Sequence, residues 1–194
     1  MKDNNNNIPM IYIVPIPETG KDNNDLTNIQ AFRQTELLLF SSTGQVIQTT
    51  TGYNYKYLDD FNPHLKTYFV FHAKAEQDAT IGLFSQKISS FASKPFYEIV
   101  MGGGGSNRGV FIRTCGLFCK KVGFTNSANI MDATRFLSFW VSWTKDIIAV
   151  GIGEVVGTNA FAQYDNSASP MAVNFIGIAS YGSVVLNVKY FNGK

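Results

Sequence analysis

Charge is the scarcest thing in this chain. Charged residues make up only 15% of its 194 positions, against roughly 25% in ordinary globular proteins. The 16 Lys and Arg nearly cancel the 14 Asp and Glu, leaving a net charge of +2, and Lys120-Lys121 is the longest basic run. That gives no electrostatic footprint for nucleic acid, so no nucleic-acid partner is expected. Histidine and cysteine are almost as scarce, with two of each: His64, His72, Cys115 and Cys119. Two cysteines four apart need two further ligands to close a zinc site, and both histidines lie far upstream, so no metal is expected. The pair is expected as free thiols in a reducing compartment, because a bridge across so short a loop adds little.

Long apolar runs are also missing. No stretch approaches the roughly 20 residues of a membrane span, so no membrane span is expected. The apolar part of the N-terminus, Ile8 to Ile16, is interrupted by Pro9 and Pro15 and lacks a basic lead, unlike a signal peptide. No Asn-x-Ser/Thr acceptor occurs despite the abundant asparagine. A cytoplasmic location is the expectation, with unconventional secretion left open. Nucleophile motifs are absent too: there is no Gly-x-Ser-x-Gly, and the carboxylates Asp59, Asp60, Glu98, Asp146, Glu154 and Asp165 are scattered. No catalytic residue is expected.

What the chain does have is apolar and neutral polar residues in short alternating runs. Hydrophobic residues reach 45% and aromatics 14%, enough for one domain's core. From Gly44 onward the runs QVIQTTT, YNYKYL, KTYFVFHAKA, ATIGLFS, FYEIVMG, GVFIRTC, FCKKVGF, RFLSFWVSW, DIIAVGIG, VNFIGIAS and SVVLNVKYF are separated by Gly, Asn, Asp and Pro. Phe69, Phe71 and Ala73 alternate with Tyr68, His72 and Lys74, the period of a half-buried strand. No amphipathic helix of a dozen residues separates the runs, which argues against a parallel βαβ sheet. The pattern predicts an all-β fold, an antiparallel β-sandwich of jelly-roll type. Residues 1–50 read as an N-terminal extension: 1–7 disordered, 8–16 an edge-like apolar arm docking on the sandwich or on a partner, and 26–40 a window with some helical character or, equally, two short strands. Residues 51–194 read as the sandwich.

The stretch FYEIVMGGGGSNRGVFIRTC, 96–115, looks at first like the start of a nucleotide or S-adenosylmethionine site. A phosphate loop needs a helix after its glycines, to supply N–H groups and a dipole. Here another β-type run follows, without the Gly-Lys-Ser/Thr ending. The run is expected to be a hairpin turn, and no cofactor is expected.

KAEQDATIGLFS, FYEIVMGGGGSNRGVFIR, FWVSWTKDIIAVGIGE, FAQYD and AVNFIGIASYG fall in the order and spacing of the farnesoic acid O-methyltransferase-like domain, which this chain resembles from about Tyr53 to Phe191. It departs from that family in having only glycine where the glycine run often holds an aromatic. It also has Ser180-Tyr181-Gly182 where Gly-Trp-Gly is common. The resemblance implies a β-sandwich module that occurs alone or joined to lectin-like and adhesion domains. The family's name implies methyl transfer, which requires a cleft for a charged sulfonium cofactor, usually on a Rossmann-like sheet. The sequence offers no such unit.

The expected work is therefore non-catalytic recognition, with glycans or glycoproteins as partners and a homo-oligomer for avidity. A self-assembly module acting through the arm and strand edges is the alternative, and a methyltransferase the third. Six residues are candidates for contact with ligand: Glu98, Asn107, Arg108, Arg113, Trp140 and Tyr164. In FWVSW, Phe139, Val141 and Trp143 share one strand face, and Trp140 takes the other. Trp140 is then either a sugar-stacking platform or covered by the 8–16 arm. Glu98 and Arg113 face each other across the glycine turn, either as a structural ion pair or as hydrogen-bonding groups for sugar hydroxyls. Asp78 reads as a turn residue.

Overall fold

The structure, a computed structural model, describes residues 45–88, 95–181 and 183–190. The expectations for residues 1–7, 8–16 and 26–40 lie outside the described residues. Within them the chain forms two antiparallel six-stranded sheets. The strands are β1 (Gln45–Gln48), β2 (Lys56–Tyr57), β3 (Tyr68–Lys74), β4 (Ala79–Phe84), β5 (Phe96–Met101), β6 (Arg108–Cys115), β7 (Lys120–Ala128), β8 (Leu137–Trp143), β9 (Ile147–Ile152), β10 (Ala160–Asp165), β11 (Phe175–Ser180) and β12 (Asn187–Tyr190). Sheet A runs β1-β12-β3-β8-β9-β10 and sheet B runs β2-β11-β4-β5-β6-β7. This is the predicted sandwich. Its strand β1 lies upstream of residue 51 and pairs with β12, so sheet A draws on the segment expected as extension.

Alternation puts one residue in two between the sheets. Sheet A sends in Phe69, Phe71, Phe139, Val141, Trp143, Ile148, Val150, Val188 and Tyr190; sheet B sends in Ile81, Leu83, Tyr97, Ile99, Met101, Ile112, Ile176 and Ile178. The alternating faces read from β3 and β8 are those that are buried. β10 was not among the runs taken as strands. It is a short edge whose burial alternates only weakly, and it enters sheet A by pairing with β9 through a bulge.

The glycine run is a turn, as expected. Met101 pairs with Val110, and Gly103–Asn107 wind a single π-type turn between them, entered by Gly102 at φ 70. It leads straight into β6 rather than into a helix. One expectation is corrected at the far end of β6. Cys115 and Cys119 are joined in a disulfide, not free. The β6–β7 hairpin turns so tightly there that the two Cα atoms are 4.0 Å apart.

Candidate functional site

The outward face of sheet B is built around a row that crosses four strands. Gly177, Gly82, Glu98 and Arg113 stand opposite one another on β11, β4, β5 and β6. The two glycines leave a trough in which aromatic rings lie. A Cβ at Gly82 would run into the Phe84 ring and come 2.7 Å from Tyr55 Cε1. Tyr55 meets Phe84 edge-on at 4.8 Å, and Phe84 stacks on Phe96 at 4.8 Å. Seated there, the Tyr55 hydroxyl donates to Glu98 Oε1 at 2.7 Å.

Glu98 is 0% exposed and forms an ion pair with the Arg113 guanidinium. Burial pushes the Glu98 carboxyl up to about 7, and the charge and hydrogen bond of Arg113 pull it back only in part. The same burial holds the Tyr55 phenol well above its ordinary value. Arg113 also donates to the Tyr53 hydroxyl at 3.0 Å, while its Nε–H is buried without a partner among the described residues.

Beyond Arg113, toward the glycine turn, the face opens into a pocket of about 290 Å³. Thr80, Val100 and Phe111, which are register neighbours, form its floor with Arg113. Tyr53, Gln77, Asp78, Gly104 and Tyr181 complete the lining. Asp78 sits in the left-handed region at φ 50, its N–H donating to the Gly102 carbonyl at 3.2 Å. That strained corner, which Asp tolerates better than most residues, places the carboxyl beside the pocket. Desolvation raises its pKa, opposed by the Arg113 charge. Tyr181 is 64% exposed and meets Tyr53 edge-on at 5.8 Å. Tyr53, Gln77, Asp78, Phe111 and Tyr181 were not among the sequence candidates. The Ser180-Tyr181-Gly182 departure was the one sequence signal bearing on this pocket, while Asp78 in AEQDAT was read only as a turn residue.

The six sequence candidates do not form one site. Glu98 and Arg113 come together as the pair just described. Asn107, at φ 52, is used up inside the protein: its amide donates to the Met131 carbonyl at 2.7 Å and accepts from the Met131 N–H at 2.8 Å. Arg108 is exposed at the start of β6. Trp140 is on the other sheet and is 1% exposed, which corrects the platform reading. Its ring lies over Gly151, and its Nε1–H donates to the Thr158 carbonyl at 2.9 Å, so the β9–β10 connection covers it. Tyr164, a candidate for ligand contact, faces the interior, packed on the core with its ring 6.3 Å from that of Tyr97.

The outward face of sheet A gathers a second polar group. Ser138 Oγ lies 3.1 Å from His72 Nδ1 and 3.2 Å from Glu154 Oε1, and His72 Nε2 is 3.7 Å from the same carboxylate oxygen. Serine, histidine and carboxylate meet here, but in the wrong order for a nucleophile. The serine hydroxyl bonds the carboxylate directly, rather than having the imidazole between them. Burial lowers the His72 pKa. For metals, the Sγ atoms of Cys115 and Cys119 and a Glu98 oxygen lie within 4.8 Å of one another. Joined in a disulfide, the two sulfurs have no thiolate to offer a cation.

Residues 49–194 match the family described as farnesoic acid O-methyl transferase. The chain belongs to this family. No curated protein matches the sequence. Among solved structures, a carbohydrate-binding module from Bacillus subtilis shares 5% identity at a TM-score of 0.45, covering 73% of this chain and 94% of that one. The galectin LEC-6 of Caenorhabditis elegans shares 10% identity at 0.42, covering 76% and 96%. A homodimeric agglutinin from chicken liver shares 10% at 0.39, covering 72% and 94%. At these scores the likeness carries no argument about ligand, which has to come from the residues of this farnesoic acid O-methyl transferase family member itself.

Proposed function

We propose that this farnesoic acid O-methyl transferase family domain is a non-catalytic carbohydrate-recognition module, with its ligand in the pocket beside Arg113. One observation carries the reading. A desolvated carboxylate, Asp78, and a guanidinium already anchored by Glu98 share a small pocket with the rings of Tyr53, Phe111 and Tyr181. A sugar presents the complement of that set. Its hydroxyls donate to a carboxylate and accept from a guanidinium, and its C–H face packs on an aromatic ring. A ligand oxygen at the Arg113 Nε–H would also relieve a buried unsatisfied donor, a cost of about 1–3 kcal/mol.

A rigid sheet with loops at its rim suits such a site, since the loops carry the polar groups and the strands hold them still. Single sites of this size bind weakly, so useful retention calls for several copies, with avidity gains of 10²–10⁴. A homo-oligomer is part of the proposal.

The test is a glycan array probed with the intact chain, alongside Asp78→Asn and Tyr181→Ala. Retention on the array, lost in both variants at unchanged melting temperature, is the expected result. No retention by an intact oligomer would leave self-assembly as the reading, checked by light scattering. A thermal upshift with S-adenosylmethionine of the size mass action gives, about 2.7 kcal/mol at a hundredfold excess over Kd, would replace both with methyl transfer.

A further inference from the structure

The β6–β7 hairpin ends in Cys115-Gly116-Leu117-Phe118-Cys119, a five-residue tip closed by its own disulfide. Leu117 is 79% exposed and Phe118 is 89% exposed. Large apolar side chains held out in water at a turn tip run against the ordinary logic of a hairpin, whose tip is polar. Cys115 is buried beside Phe84 and Phe96, so the bridge ties the tip to the sheet.

Along the sequence on either side of the tip the charge is of one sign. Between Glu98 and Asp132 the sequence has no acidic residue at all, and it carries Arg108, Arg113, Lys120 and Lys121. Arg113 is spoken for by Glu98. Lys121 lies over the rings of Phe111 and Phe124, at 4.6 and 4.5 Å, keeping its charge on the outward face of β7. Lys120 directly follows the closed tip and is exposed.

We infer that this closed tip is a membrane-surface contact, Leu117 and Phe118 entering the headgroup region of an anionic bilayer while Lys120 and Lys121 meet its phosphates. Apolar side chains inserted shallowly, with lysines at headgroup level, are the two ingredients of peripheral membrane binding. A protein partner fits less well. Stable protein interfaces bury about 1,200–2,000 Å² in total, and two side chains on a narrow turn do not supply that. An acidic protein surface would satisfy the lysines but would leave the apolar pair unexplained. No helix among the described residues is long and apolar enough to cross a membrane.

The experiment is co-sedimentation of the full chain with vesicles of phosphatidylcholine alone and of phosphatidylcholine with about a third phosphatidylserine. Binding to the anionic vesicles, weakened by salt, is expected. Leu117→Ser with Phe118→Ser should lower it at least tenfold, and Lys120→Glu by a smaller factor, all with unchanged melting, since these side chains support no core. A Phe118→Trp variant should show an added blue-shifted emission on anionic vesicles only. The inference is overturned by absent vesicle binding, by equal binding to neutral vesicles, or by binding that survives the double serine variant. It is also overturned if that variant changes the oligomer size while no vesicle binding is seen, which would assign the tip to a second copy.

Discussion

The two sheets solve the same problem on their outward faces and finish it differently. Each gives up side chains to seat large rings: sheet A uses Gly151 under Trp140, and sheet B uses Gly82 and Gly177 under Tyr55 and Phe84. On sheet A the ring's polar atom is satisfied by backbone, the Thr158 carbonyl, and the ionisable residues Glu154, His72 and Lys189 stay partly exposed. On sheet B the aromatic layer sits over a carboxylate that is fully buried and held by Arg113 and the Tyr55 hydroxyl. Burying an ion pair gives a fold little or nothing compared with apolar packing of the same volume. Among the described residues a fully buried carboxylate of this kind is found on the outward face of sheet B, and the pocket lies beside it.

The largest expected effect is on sheet A. Trp140→Ala should cost about 3–5 kcal/mol, as large-to-small changes at fully buried aromatic positions do, read as a lowered denaturation midpoint at unchanged slope. A cost below about 1 kcal/mol would show that the β9–β10 connection collapses onto the gap, and that the covered and uncovered faces differ less than the burial suggests.

The two faces should also titrate in opposite directions. Burial raises Glu98 from 4.5 to about 7, so between those values the native state holds a proton that the unfolded chain has released. Stability from this face is therefore fully present at low pH and is lost as pH rises through that window. At about 1.4 kcal/mol per pKa unit the loss is about 3 kcal/mol. Asp78, also raised, acts in the same direction. His72 is lowered from 6.5, so protonating it costs more in the native state, and its contribution is lost as pH falls below that value. Stability curves of the unsubstituted chain and of Glu98→Gln should diverge steadily from about pH 4.5 to about 7. Parallel curves would mean that Arg113 keeps Glu98 ionised throughout.

Most of this architecture was readable from residue alternation, because a sandwich imposes period two on every strand it half buries. Phe69, Phe71 and Ala73, and Phe139, Val141 and Trp143, announced their faces. Trp140 shows where alternation stops. It says which way a side chain leaves the sheet, not whether another segment lies on top, and the Gly153 to Asn159 connection is too short and polar to declare itself a lid. Tyr164 failed for the related reason that its strand, β10, was not recognised. The Glu98–Arg113 pair was legible as two charges facing across a hairpin. The pocket was not, since Tyr53, Asp78 and Tyr181 come from three connections far apart in sequence.

The glycines sharpen the comparison at smaller scale. A Cβ at Gly151 would stand 2.7 Å from the Asn159 carbonyl oxygen as well as against the Trp140 ring, whereas the three atoms nearest one at Gly177 are all side-chain atoms, Phe84 Cε2 and Tyr55 Cδ1 at 3.0 Å and Tyr55 Cβ at 3.4 Å. Backbone yields less than a side chain, so Gly151→Ala should cost about 1–3 kcal/mol, the range for overpacking. Gly177→Ala should cost less. Equal losses in thermal melts would mean that the sheet B rings are as immobile as backbone.

The smallest effect belongs to the disulfide, although it lies on the more elaborate face. A bridge restricts the unfolded chain in proportion to the logarithm of the loop it closes, and Cys115 and Cys119 are only 4 apart. The chain-entropy relation gives about 2 kcal/mol for so short a loop, as an upper value. Cys115 is buried against Phe84 and Phe96, so Cys115→Ala with Cys119→Ala removes the bridge without placing a hydroxyl among those rings. The double variant should lose at most about that amount, and the native protein should melt no more than slightly lower in reductant. The pH dependence traced to Glu98 should persist, since its partners Arg113 and Tyr55 remain. A much larger loss, or a flattened pH curve, would show that the bridge holds the aromatic layer down over the ion pair. Sheet B would then owe its buried charge to a covalent clamp rather than to the packing of Tyr55 in its glycine trough.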